Sequence, residues 1–188
     1  MFFETNMHTN CSINKKIAAR GVRMKKVLLI FILVAIIAKG TVFADHPSGF
    51  GIGIQGGAGG SWVGGFGGNA ALSLKIPAIP LFWAVRLDVG HGGFSLGLSG
   101  DQYLIDSIVI PTLGLHWYLG VGVGINIQLG DPLGLGIAAR LPIGLSWQPI
   151  PFLEVFLQAV PSLGVLVLPE FRFPYGGWGA DIGIRIWL

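Results

Sequence analysis

The chain has 188 residues, 52% of them hydrophobic and only 11% charged, with 31 glycines. Its formal net charge is +3, but seven of its 12 Lys and Arg lie before residue 40. From Asp45 onward Lys75, Arg86, Arg140, Arg172 and Arg185 stand against Asp45, Asp88, Asp101, Asp106, Asp131, Glu154, Glu170 and Asp181. That acidic balance removes the usual electrostatic basis for nucleic-acid binding. The single cysteine, Cys11, lies upstream, so the rest of the chain has no disulfide framework and no thiolate metal site.

Met24-Lys25-Lys26 followed by the apolar run Val27 to Ala38 has the form of a secretory signal. Val42-Phe43-Ala44 offers small residues at the two positions a signal peptidase inspects, which predicts a mature chain from Asp45. The apolar run is short for a spanning helix, which needs roughly 20 residues. The organisation expected is therefore an upstream extension at 1–23, a signal peptide at 24–44 and one β-barrel domain at 45–188.

Beyond the leader the pattern has period two. Phe50, Ile52 and Ile54 alternate with Gly51, Gly53 and Gln55, and a glycine-rich loop is expected at 56–65. Ala70, Leu72, Leu74 and Ile76 form the apolar face of a second strand, closed by the turn Pro77-Ala78-Ile79-Pro80. The third strand sets Leu81, Trp83, Val85, Leu87 and Val89 against Phe82, Ala84, Arg86 and Asp88, and turns at His91-Gly92-Gly93. The fourth begins at Phe94 and fades near Leu104, with a connection at 106–111. The fifth, Leu113 to Ile127, puts eight large apolar residues on one face and glycine, His116, Tyr118 and Asn126 on the other. Strict alternation over so long a run is a strand signal, and it exceeds the usual strand length of about 5–6 residues.

Gly130-Asp131-Pro132 marks a loop. The sixth strand runs as one piece from Leu133 to Trp147, followed by a turn at 148–151. The seventh sets Leu153, Val155, Leu157 and Ala159 against Glu154, Phe156 and Gln158. A loop is expected at 168–177, and the eighth strand alternates from Trp178 to Leu188. The fold class expected is all-β: one antiparallel up-and-down transmembrane barrel of about eight strands. An even strand count puts both mature termini on one side, the periplasm, together with the short turns.

The parity of the charges decides which face is outside. Arg86, Asp88, Arg140, Glu154, Asp181 and Arg185 all share the glycine face and none lies on the greasy face. A soluble barrel would turn its greasy face inward and leave the glycine face in water. An Arg or Lys in lipid at the bilayer midplane costs roughly 2–4 kcal/mol. The six charges are therefore expected inside, as a lumen ion-pair network in which Arg140 and Glu154 face each other across the sixth and seventh strands. Trp83 and Trp147, on the greasy face beside the turns, are expected to form an aromatic girdle.

The stretch Arg140, Pro142, Gly144, Trp147, Glu154, Phe156 and Pro161, with His116-Trp117-Tyr118 and the Gly-Val run after it, resembles the small outer-membrane barrels of diderm bacteria such as spirochaetes. These are in turn similar to the eight-stranded OmpA/OmpX class. The resemblance implies contact with outer-membrane lipid and with the barrel-insertion machinery. The terminal Trp187-Leu188 departs from the terminal aromatic, usually Phe, that such machinery favours.

Function is less legible. An eight-stranded interior holds only side chains, so a general diffusion pore is not expected. Some barrels of this class are lipid-modifying enzymes, and here His91, Ser95, Ser99 and Asp101 lie near one end. Nothing in their spacing brings a base onto a nucleophile, and no catalytic residue is assigned. No metal cluster and no cofactor is expected. Glu170, Phe171, Arg172, Phe173 and Tyr175 in the 168–177 loop have the aromatic and charged character of a protein-binding patch. The leading expectation is a structural or surface-adhesion barrel binding a host or envelope protein through its outward loops. A narrow transport channel and a lipid-modifying enzyme are the alternatives.

Overall fold

A computed structural model describes residues 49–90 and 93–188. The chain divides into two units, Met1–Thr41 and Val42–Leu188. The expected leader, its cleavage point and His91 lie outside the described residues.

Nine strands follow one another: β1 (Gly51–Ser61), β2 (Phe66–Ile76), β3 (Ile79–Gly90), β4 (Gly93–Ile110), β5 (Leu115–Leu129), β6 (Gly134–Arg140), β7 (Ile143–Ile150), β8 (Leu153–Leu168) and β9 (Arg172–Trp187). Each pairs antiparallel with its neighbours, and β1 pairs with β9, so the sheet closes on itself. β6 and β7 both lie between β5 and β8 and act as two halves of one stave, which makes an eight-membered ring. Closure leaves no free sheet edge.

The stagger of the ring follows from its register. From Gly51 the partners run through Lys75, Phe82, Asp101, Gly122, Arg140, Ser162 and Gly177, and return to β1 at Ser61, ten residues further along. Such a shear requires strands tilted by roughly 35–45°. The shortest staves, with 11 residues each, then rise about 26–30 Å at roughly 3.3 Å per residue, close to the apolar band of an outer-membrane barrel.

The two faces sort by polarity. Outside, Ile54, Leu72, Val85, Leu98, Ile125, Leu145, Leu157, Ile182 and Ile184 are all exposed. Inside, Ser73, Asp101, Arg140, Glu154, Gln158, Asp181 and Arg185 are all buried. This is the inverse of a soluble barrel and the arrangement of a transmembrane one. The aromatic residues collect at the ends. Trp83, Trp117 and Trp147 lie outward near the end carrying the 77–78 and 111–114 turns, hereafter the turn end. Phe66, Phe94 and Trp178 lie outward near the other, the loop end. Trp83, expected in an aromatic girdle with Trp147, is half-buried, while Trp147 is exposed.

Several boundaries differ from the sequence reading. β4 does not fade at Leu104 but continues to Ile110, so there is no loop at 106–111; a 3-10 turn, Pro111–Leu113, follows, and β5 starts at Leu115. A bulge between Tyr103 and Ile105 causes the apparent fading. It moves the inward parity from odd to even residues, so Tyr103 and Asp106 are both buried while Ile105 is exposed. The sixth stave is broken at Leu141-Pro142, opposite Pro161, because two prolines remove ladder donors. Leu141 N–H still donates to Pro161 O, and Gly120 N–H to Pro142 O, so alternation survives the break. The glycine loop at 56–65 shrinks to residues 62–65, and the 168–177 loop to 169–171. Alternating glycine carries no side-chain signal, so strand there resembles loop in the sequence.

Candidate functional site

The lumen divides into a closed plug toward the turn end and an open cup toward the loop end.

Arg185 is the centre of the plug. Its Nη1 donates to Glu154 Oε2 at 2.7 Å, and its Nε and Nη2 donate to Ser73 Oγ at 3.3 and 2.9 Å. Trp187 Nε1 donates to the same Glu154 oxygen at 2.9 Å. The guanidinium lies over Phe82, Phe156 and Trp187, with its carbon 4.7, 4.8 and 5.6 Å from the ring centres. Three rings and three hydrogen bonds thus surround the cation, which is how a charge this deep is tolerated. Phe82, Tyr103 and Tyr118 stack in sequence, 4.1 and 4.3 Å between centres. Glu154 and Tyr118 have no exposed surface at all.

A second tier lies above. Arg140 chelates Asp101 through Nε and Nη2 at 3.0 and 3.1 Å. Tyr118 Oη donates to Gln158 Oε1, and Gln158 Nε2 donates to Asp181 Oδ2 at 3.3 Å. Asn69 Nδ2 donates to the other Asp181 oxygen at 3.0 Å. Nearer the loop end Arg86 pairs with Asp88 at 3.0 Å, and Asn126 links Asp88, Ser95 and the Tyr175 hydroxyl.

The six charges expected inside are all inside, but their pairing differs from the sequence expectation. Arg140 and Glu154 do not pair. Arg140 takes Asp101 and Glu154 takes Arg185. With the barrel staggered, Arg140 registers with Ser162, whereas Glu154 registers with Arg185. Sequence reasoning did not place Asp101, Tyr103 and Asp106 in the lumen, and it left Lys75 and His116, which share the inward parity, out of the charged network. Asp101 was findable, because it continues the odd parity of Ser95 and Ser99. Asp106 was not, because the bulge shifts its parity.

Glu170, Phe171, Arg172 and Phe173 are exposed, with Arg172 and Glu170 3.6 Å apart. Tyr175 is not with them: it lies in β9 and turns into the lumen to bond Asn126. The residues weighed for catalysis do not converge. Ser95 bonds Asn126, and Asp101 is held by Arg140. At the turn end His116 Nδ1 lies 3.4 Å from Asp106, and His116 registers with Ser146 across the β5–β7 ladder. Ser146 Oγ is fully buried and makes no hydrogen bond, so no base is poised on it. Among the described residues no group of three His, Cys, Asp or Glu could hold a metal.

The cup above Asp181 has a volume of about 350 Å³. Its rim is built of glycine, including Gly59, Gly60, Gly67, Gly90, Gly93 and Gly177, and its polar wall comes from Asn69, Arg86, Asp88, Asn126, Ser162 and Tyr175.

No family model matches the chain, and no curated protein matches its sequence. Similar folds occur among solved structures. Neisserial surface protein A is 15% identical with a TM-score of 0.49, covering 76% of this chain and 98% of its own. The N-terminal β-barrel domain of Pseudomonas aeruginosa OprF is 16% identical with a TM-score of 0.42, covering 72% and 96%. The outer membrane enzyme PagL is 12% identical with a TM-score of 0.44, covering 72% and 99%.

Proposed function

We propose that this chain is an integral barrel of a bacterial outer membrane, with a side-chain-filled lumen and a structural or surface-adhesion role exercised from its loop end. The observation that carries this reading is the inversion of polarity: a continuous apolar exterior around a lumen that holds the charges, with Arg86, Arg140 and Arg185 each paired to a carboxylate. Exposed apolar surface of that extent marks contact with lipid. The plug favours a barrel that does not conduct over a narrow transport channel, because Arg185, Glu154, Tyr118 and Phe156 fill the lumen together.

The two ends of the ring support an orientation. Gly51 and Trp187 are paired, so the barrel begins and finishes at the turn end. That end faces the periplasm in this reading, and the loop end faces outward. There Trp62, Val63, Phe171 and Phe173 are exposed beside the Glu170–Arg172 pair, a surface suited to a host or envelope protein. Outer-membrane lipid and the insertion machinery are the other partners this placement requires.

The test is cysteine labelling in intact cells, possible because Cys11 is the chain's only cysteine and precedes the segment from Asp45 expected as the mature chain. A membrane-impermeant maleimide should modify Phe171→Cys in intact cells and Ala78→Cys only after the outer membrane is permeabilised. The reverse pattern would invert the orientation. In planar bilayers the purified protein should be silent, and steps of conductance altered by Glu154→Gln would establish the transport channel instead.

A further inference from the structure

We infer that the lumenal cup is a binding site for a small organic ammonium ion, held by Asp181 and Asn69. Two acceptors in the cup are unmatched. Arg86 is matched by Asp88 and Arg140 by Asp101. Asp181 lines the same cup, yet among the described residues no cation reaches it within ion-pair distance. Its carboxylate accepts only two neutral amide hydrogen bonds, from Asn69 and Gln158. It is 2% exposed, so water compensates little of its charge. Beside it Asn69 Oδ1 is buried and accepts no hydrogen bond. Its amide nitrogen is committed to Asp181, so the network fixes the orientation of that oxygen.

A buried carboxylate without a cation and a buried carbonyl without a donor both cost free energy. One ligand with several N–H donors and a positive charge would relieve both. An alkylammonium group has three such donors. The surroundings fit it. Two arginines and three aspartates, counting Asp101 behind Arg140, leave the cup with an excess of one negative charge. Gly57 lies against Asp181, and a Cβ there would collide with its Oδ1 and with Ala180 O. Glycine is what lets the carboxylate lie flat on β1. The volume suits a ligand of a few heavy atoms with an open approach from the loop end. Gln158 ties Asp181 to Tyr118, so the floor of the site is the roof of the plug.

The inference does not depend on an adhesive role, and its test reads binding alone. The detergent-folded protein is titrated by calorimetry with 1,4-diaminobutane, ethylammonium and sodium chloride at constant ionic strength. Saturable binding of the two amines, and not of sodium, is expected. Asp181→Asn should weaken that binding about ten-fold or more, as loss of a charged hydrogen bond implies. Asn69→Asp should tighten it by adding a second carboxylate. Heat-modifiable gel mobility of each variant establishes that the barrel is intact. Absence of saturable amine binding to the parent protein would overturn the inference. Equal binding of sodium, or amine binding unchanged in a folded Asp181→Asn variant, would overturn it too.

Discussion

Glu154 and Arg185 illustrate what a residue costs when its partner is deep in the barrel. Breaking a buried pair by truncating one member typically costs about 3–5 kcal/mol, because the other charge is left uncompensated. Glu154→Ala should therefore destabilise the folded barrel by about that amount in urea unfolding from lipid vesicles. Coupling energies should follow the observed contacts. A double-mutant cycle on Arg140 and Asp101 should give strong coupling, and one on Arg140 and Glu154 coupling near zero. The reverse result would restore the pairing expected from the sequence. Which residues face inward was legible, because parity on a strand is a local property. Which charges meet was not, because partners are set by the stagger of the whole ring. Packing around small residues was equally hidden. A Cβ on Gly144 would lie 2.5 Å from the Tyr118 ring and 2.6 Å from Leu157 O, a fit that no pattern of glycines announces.

The bulge in β4 is the element on which the turn-end part of the lumen depends. By inserting one residue at Leu104 it turns Asp106 inward, 3.4 Å from His116. Deleting Leu104 would remove the bulge and leave Ile105 outward and Asp106 inward in simple alternation. The variant is expected to refold into vesicles with a heat-modifiable fraction close to the parent's. A large loss of yield would show that the bulge matters for some other reason, such as stave curvature. The strands themselves were legible wherever large apolar residues alternated, as in β5. They were missed in the glycine-rich part of β1 and in the first half of β9, where the sequence reads as loop and the ladder continues. The broken stave of β6 and β7 was read as one strand, and its alternation is indeed continuous. Only the hydrogen-bond ladder registers the two prolines.

At the scale of the whole molecule the fold follows from a conflict that one topology resolves. The chain has too many apolar residues on alternate positions to leave in water and too many charges on the others to leave in lipid. Closing eight staves puts each set where its transfer free energy is favourable and satisfies every ladder without an edge. The direct test of that account is heat-modifiable gel mobility of the protein refolded from urea into detergent or lipid vesicles, with circular dichroism on the same sample. Faster migration of the unheated sample, with a sheet spectrum that survives in the presence of dodecyl sulfate, is the predicted result. A protein that instead refolds in plain buffer as a soluble monomer, with no mobility shift, would contradict it and put the apolar face inside.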